Sequence, residues 1–483
     1  MSKYGSDPYA TIGLTENPFV VQALRADEQG RRLLVGRDDE IMEVARRLHK
    51  KGKITCLDGH VGVGKTSLVN VAAFECFRDY FAGETSQLLI PSVVSFQLKP
   101  RGDVDEFCYE VFRGVAQTLL SHQEYLKDRD PEKSQLPHIH AWLNAPLIEQ
   151  LSAASRIDPN GGVATMGLAS DANSVSASRQ INQSAGFERS GFEVAVRNTL
   201  DRIFTAGNEG GVVCVIDNIE LLESGDAARK TLEALRDKLF NVNGLRWVFC
   251  GANGVIHSLA ASPRLTAFLS SPIINVENVK SASIIPLIRA RLAEFSTDPH
   301  KVEEELPIDL EDLESLYRIV NTNLRDLLGL ADDFCESCAR SGKPIRIRSK
   351  KHDKYIEWLA KETSDRYDAL SSRISQNAWA VLDIAMSKIF RGTFGTADYT
   401  SFNQNSTIKI ERSTFLKWLR ELLKLELISK DLNEDLSDSD ADGLSRDVFS
   451  VTAKGALVYY ARRKRRENYS VAPDQDWMQR VHY

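Results

Sequence analysis

Gly59, Gly64, Lys65 and Thr66 fill every fixed position of the pattern G-x-x-x-x-G-K-[ST], and Gly62 adds a further glycine. Glycines let a backbone turn its N–H groups inward around a phosphate, and a helix start behind them adds partial positive charge. Lys65 has the length to reach β- and γ-phosphates, and the Thr66 hydroxyl is suited to Mg²⁺. With His60, Val61, Val63 and Ser67 between and behind them, these residues form a cradle for a nucleoside triphosphate, ATP being the expected one. A guanine-reading N/T-K-x-D stretch, which a GTPase would need, is missing from the later strands.

A cradle of this kind needs a strand before it and a helix after it. Residues 54–57 read as a buried strand, and a helix follows the loop. Residues 92–98 (SVVSFQL) alternate like a second strand, and 104–120 carry Phe107, Val111, Phe112 and Val115 on one helical face. The continuous apolar run GGVVCVIDNIELL is the kind found inside a parallel sheet, and it ends in Asp217. A helix over 227–240 leads to LRWVFCGANG, a strand ending near Asn253, and PIINV supplies a fifth strand. The alternation predicts a three-layer α/β domain with a parallel sheet and its ligand beyond the carboxyl ends of the strands.

At 483 residues the chain has room for two or three domains. Its net charge of −6 gives no global pull toward nucleic acid, so any such contact must come from local patches. No run of about 18 apolar residues occurs, and the first residues lack a signal-peptide pattern, so no membrane partner is expected. Seven scattered cysteines read as core residues in a reducing, cytoplasmic setting. The lone C-x-x-C of Cys335 and Cys338 sits in a helical pattern and reads as packing.

Residues 1–33 look like an arm. The helix carrying Ile41, Val44, Ala45 and Leu48 then opens a core expected to run over 34–279. Within it, 151–191 turns rich in Ser, Ala, Gly and Asn, an inserted loop by composition. Residues 280–342 are helical only. A basic linker is expected at 343–364, a further domain at 365–466 and a polar tail at 467–483. In that domain a helix over 378–390, a second helix (STFLKWLRELLKLELI) and the strand DVFSVT give the order of a winged helix.

With these pieces in order, the chain resembles AAA+ ATPases of the origin-recognition and STAND-like signalling group over roughly 17–466. The resemblance implies an ATPase core, a helical lid and a winged helix. It implies that Asp217 is the Walker B carboxylate that holds Mg²⁺ with Thr66, and that Asn253 is the sensor-1 polar residue. Arg325, in NTNLRDLL, is similar to the lid arginine that reaches the γ-phosphate. Arg264, in SPRL, is placed like a finger toward a neighbouring subunit, which implies self-association in the ATP state. VGRDDEI, with Gly36 and Arg37, is similar to the segment lining the adenine pocket. One departure matters. The family's Asp-Glu pair here reads Asp217-Asn218, and an amide accepts no proton at neutral pH. Glu220 replaces the missing base only if the turn carries it back, so slow hydrolysis is expected.

Two uses of the winged helix stand open. Arg412, Lys417, Arg420 and Lys424, the basic run 343–354 and the run 462–466 have the charge to contact duplex DNA phosphates. Against this, DLNEDLSDSDAD in the place of the wing would be repelled by them. A winged helix that meets a protein partner and gates a switch is the alternative.

Overall fold

The structure is a computed structural model that describes residues 7–127, 129, 139–140, 187–205, 209–222, 225–252, 254–260, 262–340, 348–405, 411–431 and 448–469. Residues 151–186 of the inserted loop, Asn253, most of the acidic wing, 470–483 of the tail and 343–347 of the basic stretch therefore lie outside the described residues. Residues 187–191, expected as loop, open a helix, and 467–469 close one.

Two short helices, α1 (Glu28–Leu33) and α2 (Asp38–Leu48), precede strand β1 (Thr55–Asp58), and the glycine-rich loop leads into α3 (Lys65–Phe81). Strands β2 (Leu88–Pro91) and β3 (Phe96–Gln97) come next, then α4 (Val104–Ser121) and α5 (Phe187–Ile203). Strand β4 (Gly210–Asp217), helix α6 (Gly225–Leu235) and strand β5 (Leu245–Gly251) follow. Helices α7 (Val255–Ala260) and α8 (Pro263–Thr266) then lead to β6 (Ile274–Asn275). The strands are all parallel, in the order β2-β4-β5-β1-β6, with β3 beside the far end of β4. The expected second strand over 92–98 is corrected: the main strand is Leu88–Pro91, buried throughout, and only Phe96–Gln97 of the alternating stretch pairs.

The apolar runs explain the layers. Successive residues of a strand point to opposite faces. Val213 and Val215 of β4 pack with Val69 and Ala72 of α3, whereas Val212, Cys214 and Ile216 join Val111, Val115 and Leu200 of α4 and α5. Each fully buried Val or Ile contributes roughly 1.5–3 kcal/mol, so both faces of β4 hold helices on. This is the three-layer α/β arrangement of a phosphate-loop protein.

Beyond the sheet come α9 (Ile284–Glu294), α10 (Pro299–Glu305), α11 (Leu310–Ile319), α12 (Leu324–Arg340) and α13 (Arg348–Ser371). They share one core, in which Leu313, Tyr317, Leu327, Phe334, Cys335 and Cys338 are buried. The N-terminal arm belongs to this core as well. Tyr9, Leu14 and Phe19 are buried in it, and the buried Arg291 donates to the carbonyls of Pro18 (2.8 Å) and Val20 (3.0 Å). The stretch read as a basic linker is corrected too: from Arg348 onward it is helix, and Tyr355 and Leu359, one turn apart, are buried against the lid.

Helix α14 (Gln376–Ala385), β7 (Thr393–Gly395), α15 (Tyr399–Asn405), α16 (Arg412–Lys424), β8 (Ile428–Asp431), β9 (Val448–Val451) and α17 (Ala453–Tyr469) complete the chain. The three strands pair antiparallel in the order β7-β9-β8, and the elements run helix, strand, helix, helix, strand, strand, with β7 and α15 added between the two expected helices. Helix α17 crosses two cores: Ala453 and Leu457 join the lid, while Ala456 and Val458 join the C-terminal one.

Candidate functional site

The loop after β1 takes its shape from its glycines. A Cβ on Gly59 would lie 2.5 Å from the Val276 carbonyl oxygen, so only glycine allows β6 this close. Gly62 has φ +85°, and a Cβ there would meet Asn323 Oδ1 at 2.9 Å and Arg325 Cβ at 3.1 Å. Val61 is exposed at the tip, and Val63 is buried below it. Lys65 folds back over the loop, donating to the carbonyls of Gly59 (2.8 Å) and His60 (3.0 Å).

Strand β4 lies two strands from β1, and it brings Asp217 to the same end of the sheet. Thr66 Oγ1 donates to Asp217 Oδ2 at 2.5 Å, and the Asn218 N–H donates to Asp217 Oδ1 at 2.9 Å. Asn218 sits in the left-handed region (φ 55°), which its short polar side chain tolerates. That turn swings the next residues back in a 3₁₀ turn over Ile219–Leu221. Glu220 Oε2 consequently accepts from the Ala252 N–H at 3.0 Å, at the end of β5. Burial pushes the Glu220 carboxyl above its usual range, while the charge of Lys65 pulls it down. The turn thus carries Glu220 back to the end of β5, the strand beside β4.

The lid meets the loop through one turn. Asn321 and Thr322 are both left-handed, at φ 54° and 58°. Asn323 Nδ2 donates to the Val61 carbonyl at 3.3 Å, and Asn278 Nδ2, past β6, donates to Thr322 Oγ1 at 2.8 Å. Arg325, exposed on the first turn of α12, is therefore at the loop. On the other side of the turn, Asn321 Nδ2 donates to the Val451 carbonyl of β9 at 2.7 Å.

Gly36 and Arg37 are placed differently from each other. Gly36 (φ +74°) lies against Ser283 of the lid. Arg37 is buried and fully engaged, with Glu40 at 2.7 Å, the Glu277 carbonyl at 2.6 Å and the Val63 carbonyl at 3.3 Å. It holds loop, α2 and β6 together. Arg264 is not brought to the site: it is exposed on α8, ahead of Leu269, which pairs with Ile54 at the amino end of β1.

One contributor went unread in the sequence. The arm crosses from the lid to α3, where Ser67 Oγ accepts from the Leu24 N–H at 3.0 Å and Asn70 Nδ2 donates to the Leu24 carbonyl at 2.8 Å. The Asn17-Pro18 turn followed by apolar residues was the available signal.

Among the described residues no group of three or more His, Cys, Asp or Glu gathers to hold a metal. The hydroxyl of Thr66 beside the carboxylate of Asp217 fits Mg²⁺, an oxygen-seeking ion that takes one or two protein ligands and completes its shell with phosphates and water. Among the described residues no helix is long and apolar enough to cross a membrane.

No family model matches the chain, and no curated protein matches it. Among solved structures it is similar to the ORC2 protein of Aeropyrum pernix in its ADPNP–ADP complexes: 10% identity, TM-score 0.42, covering 93% of this chain and 98% of that one. It is also similar to A. pernix ORC1 in complex with DNA (15%, 0.37, 90% and 94%) and to Cdc6p of Pyrobaculum aerophilum (12%, 0.36, 94% and 99%).

Proposed function

We propose that this chain is an ATP-binding, AAA+-type ATPase that works as a nucleotide-dependent switch or assembly factor with slow turnover. The observation that carries the reading is the Thr66–Asp217 contact at the mouth of the loop, with the Arg325 turn of the lid against Gly62. Residues 34–279 act as the ATPase core and 280–342 as its lid. The loop N–H groups and Lys65 hold the phosphates, Thr66 and Asp217 hold Mg²⁺, and the metal neutralises phosphate charge when bound. Glu220 takes the water's proton in place of Asn218, and Asn253 and Arg325 orient the γ-phosphate. Hydrolysis is the addition of water to ATP to give ADP and phosphate.

Within this reading the C-terminal unit contacts duplex DNA through α16, where Lys417, Arg420 and Lys424 are exposed along one face. A protein-gated switch is the second reading, favoured by the bond from Asn321 to Val451, which joins the lid turn directly to the three-stranded sheet. ATP turnover and particle mass, measured with and without duplex DNA, test both. The first reading expects slow turnover, assembly with ATP and a response to DNA. Assembly should be lost in Arg264→Ala, whose side chain is exposed and free to meet a neighbour's nucleotide. A monomer under all conditions would contradict the assembly.

A further inference from the structure

A second cavity lies away from the phosphate loop, where α11, α13 and α17 meet. Its volume is about 620 Å³, within the range of roughly 300–1,000 Å³ usual for small-molecule sites. Tyr355, Tyr460 and the 43% exposed Ile356 give it an apolar wall. The lining also carries the carboxylates Asp309, Glu311, Asp312 and Glu314, which outnumber the two basic side chains in it, Arg318 and His352, together with Lys351 beside Asp309 at 3.9 Å. Arg318 is already spent on Glu314 at 2.5 Å.

Two buried polar atoms in the cavity wall lack a hydrogen-bond partner among the described residues. One is Oδ2 of Asp312, a residue only 6% exposed, and the other is the hydroxyl of Tyr355, 1% exposed. Asp312 Oδ1 is engaged by His352 Nδ1 at 2.8 Å. A buried carboxylate oxygen left unpaired costs free energy, and a protonated amine is the group that relieves it. Both atoms are closed off from solvent, and the His352 side chain that engages Asp312 is itself 54% exposed.

We propose that this cavity binds a small organic cation, a primary amine on a short apolar body, held by Asp312 and Tyr355 once His352 swings aside. The carboxylates draw the cation, and the Tyr355, Ile356 and Tyr460 wall takes its apolar part. The site is separate from the nucleotide cradle and needs none of its residues.

Calorimetric titration of the full chain with phenethylamine and with 2-phenylethanol tests this. The amine should bind and the alcohol should bind at least about tenfold more weakly, the factor expected for losing a charge-assisted hydrogen bond. Asp312→Asn should lose a similar factor, Ile356→Ser should weaken binding, and Lys65→Ala should leave it unchanged. No binding of the amine, equal binding of amine and alcohol, or an unchanged Asp312→Asn variant of native circular dichroism would overturn the proposal. If Asp312→Asn does not fold, the amine-to-alcohol comparison on the parent chain decides.

Discussion

Thr66 Oγ1 and Asp217 Oδ2 lie 2.5 Å apart, although 151 positions separate them in the chain. The pairing follows from sheet order: β5 sits between β1 and β4, so the loop after β1 and the end of β4 share one edge. Asp217→Asn keeps a hydrogen-bond acceptor for Thr66 and removes the charge a divalent cation needs. ATP affinity in this variant should no longer improve when Mg²⁺ is added, whereas it should in the parent. Equal Mg²⁺ dependence in both, read by calorimetry, would count against the assignment.

Glu220 is the next test. Turnover should fall below the ~1–10³ s⁻¹ usual for enzymes, because the base reaches the site only through the Asn218 turn. Glu220→Gln should reduce the residual rate by a further ~10²-fold or more while ATP binding holds. The parent's rate should fall with pH through a value above the usual carboxyl range, since burial raises this group. The sign for stability is the reverse. A raised pKa stabilises the fold at pH below the ordinary value, and that contribution is lost as pH rises through the raised one. Glu220→Gln should therefore melt higher than the parent at neutral pH without nucleotide, and the gap should close in acid. A parent turning over tens of ATP per second would refute the role given to the turn.

Contact with DNA, if made, should run through α16. The basic run on α17 is largely committed elsewhere: Arg462 lies 4.3 Å over the Trp379 ring and 3.1 Å from Asp383. Arg465 lies 4.5 Å over Tyr367 and 2.7 Å from Asp368, and Arg466 pairs with Asp383 at 3.1 Å. Replacing Lys417, Arg420 and Lys424 with Ala should flatten the log–log salt dependence by about 0.9 for each phosphate no longer neutralised. Arg465→Ala should lower the melting temperature and leave that slope alone. Gel-shift titrations at two salt concentrations decide, and no binding at low salt, with or without ATP, favours the protein-gated switch.

The loop, the two buried strands and Asp217 were legible because each has a strong local signature: fixed glycines, or an apolar run that only a two-sided sheet accepts. The second strand was not. Val93 and Val94 alternate like strand residues yet stand exposed, while the four-residue LLIP run that does pair was too short to separate from its surroundings. The arm was unread because Tyr9, Leu14 and Phe19 dock one at a time, without helical or strand period. Helix α13 was hidden by its charges, since among so many charged residues only Tyr355, Trp358 and Leu359 supply apolar packing on the lid core in its first half. The contacts of the basic run on α17 were not legible for a physical reason as well: arginines stack on aromatic rings, and no spacing in the chain announces which ring will be near.

Lys65→Ala is the most direct measurement of the central claim. Lys65 donates to two loop carbonyls and packs no core, so its removal should leave the circular dichroism spectrum unchanged. Titration with a fluorescent ATP analogue should show the variant binding at least ~10-fold more weakly than the parent, the loss expected for a charge-assisted phosphate contact. Equal affinity in the two folded proteins would contradict the claim that this loop is the ATP site.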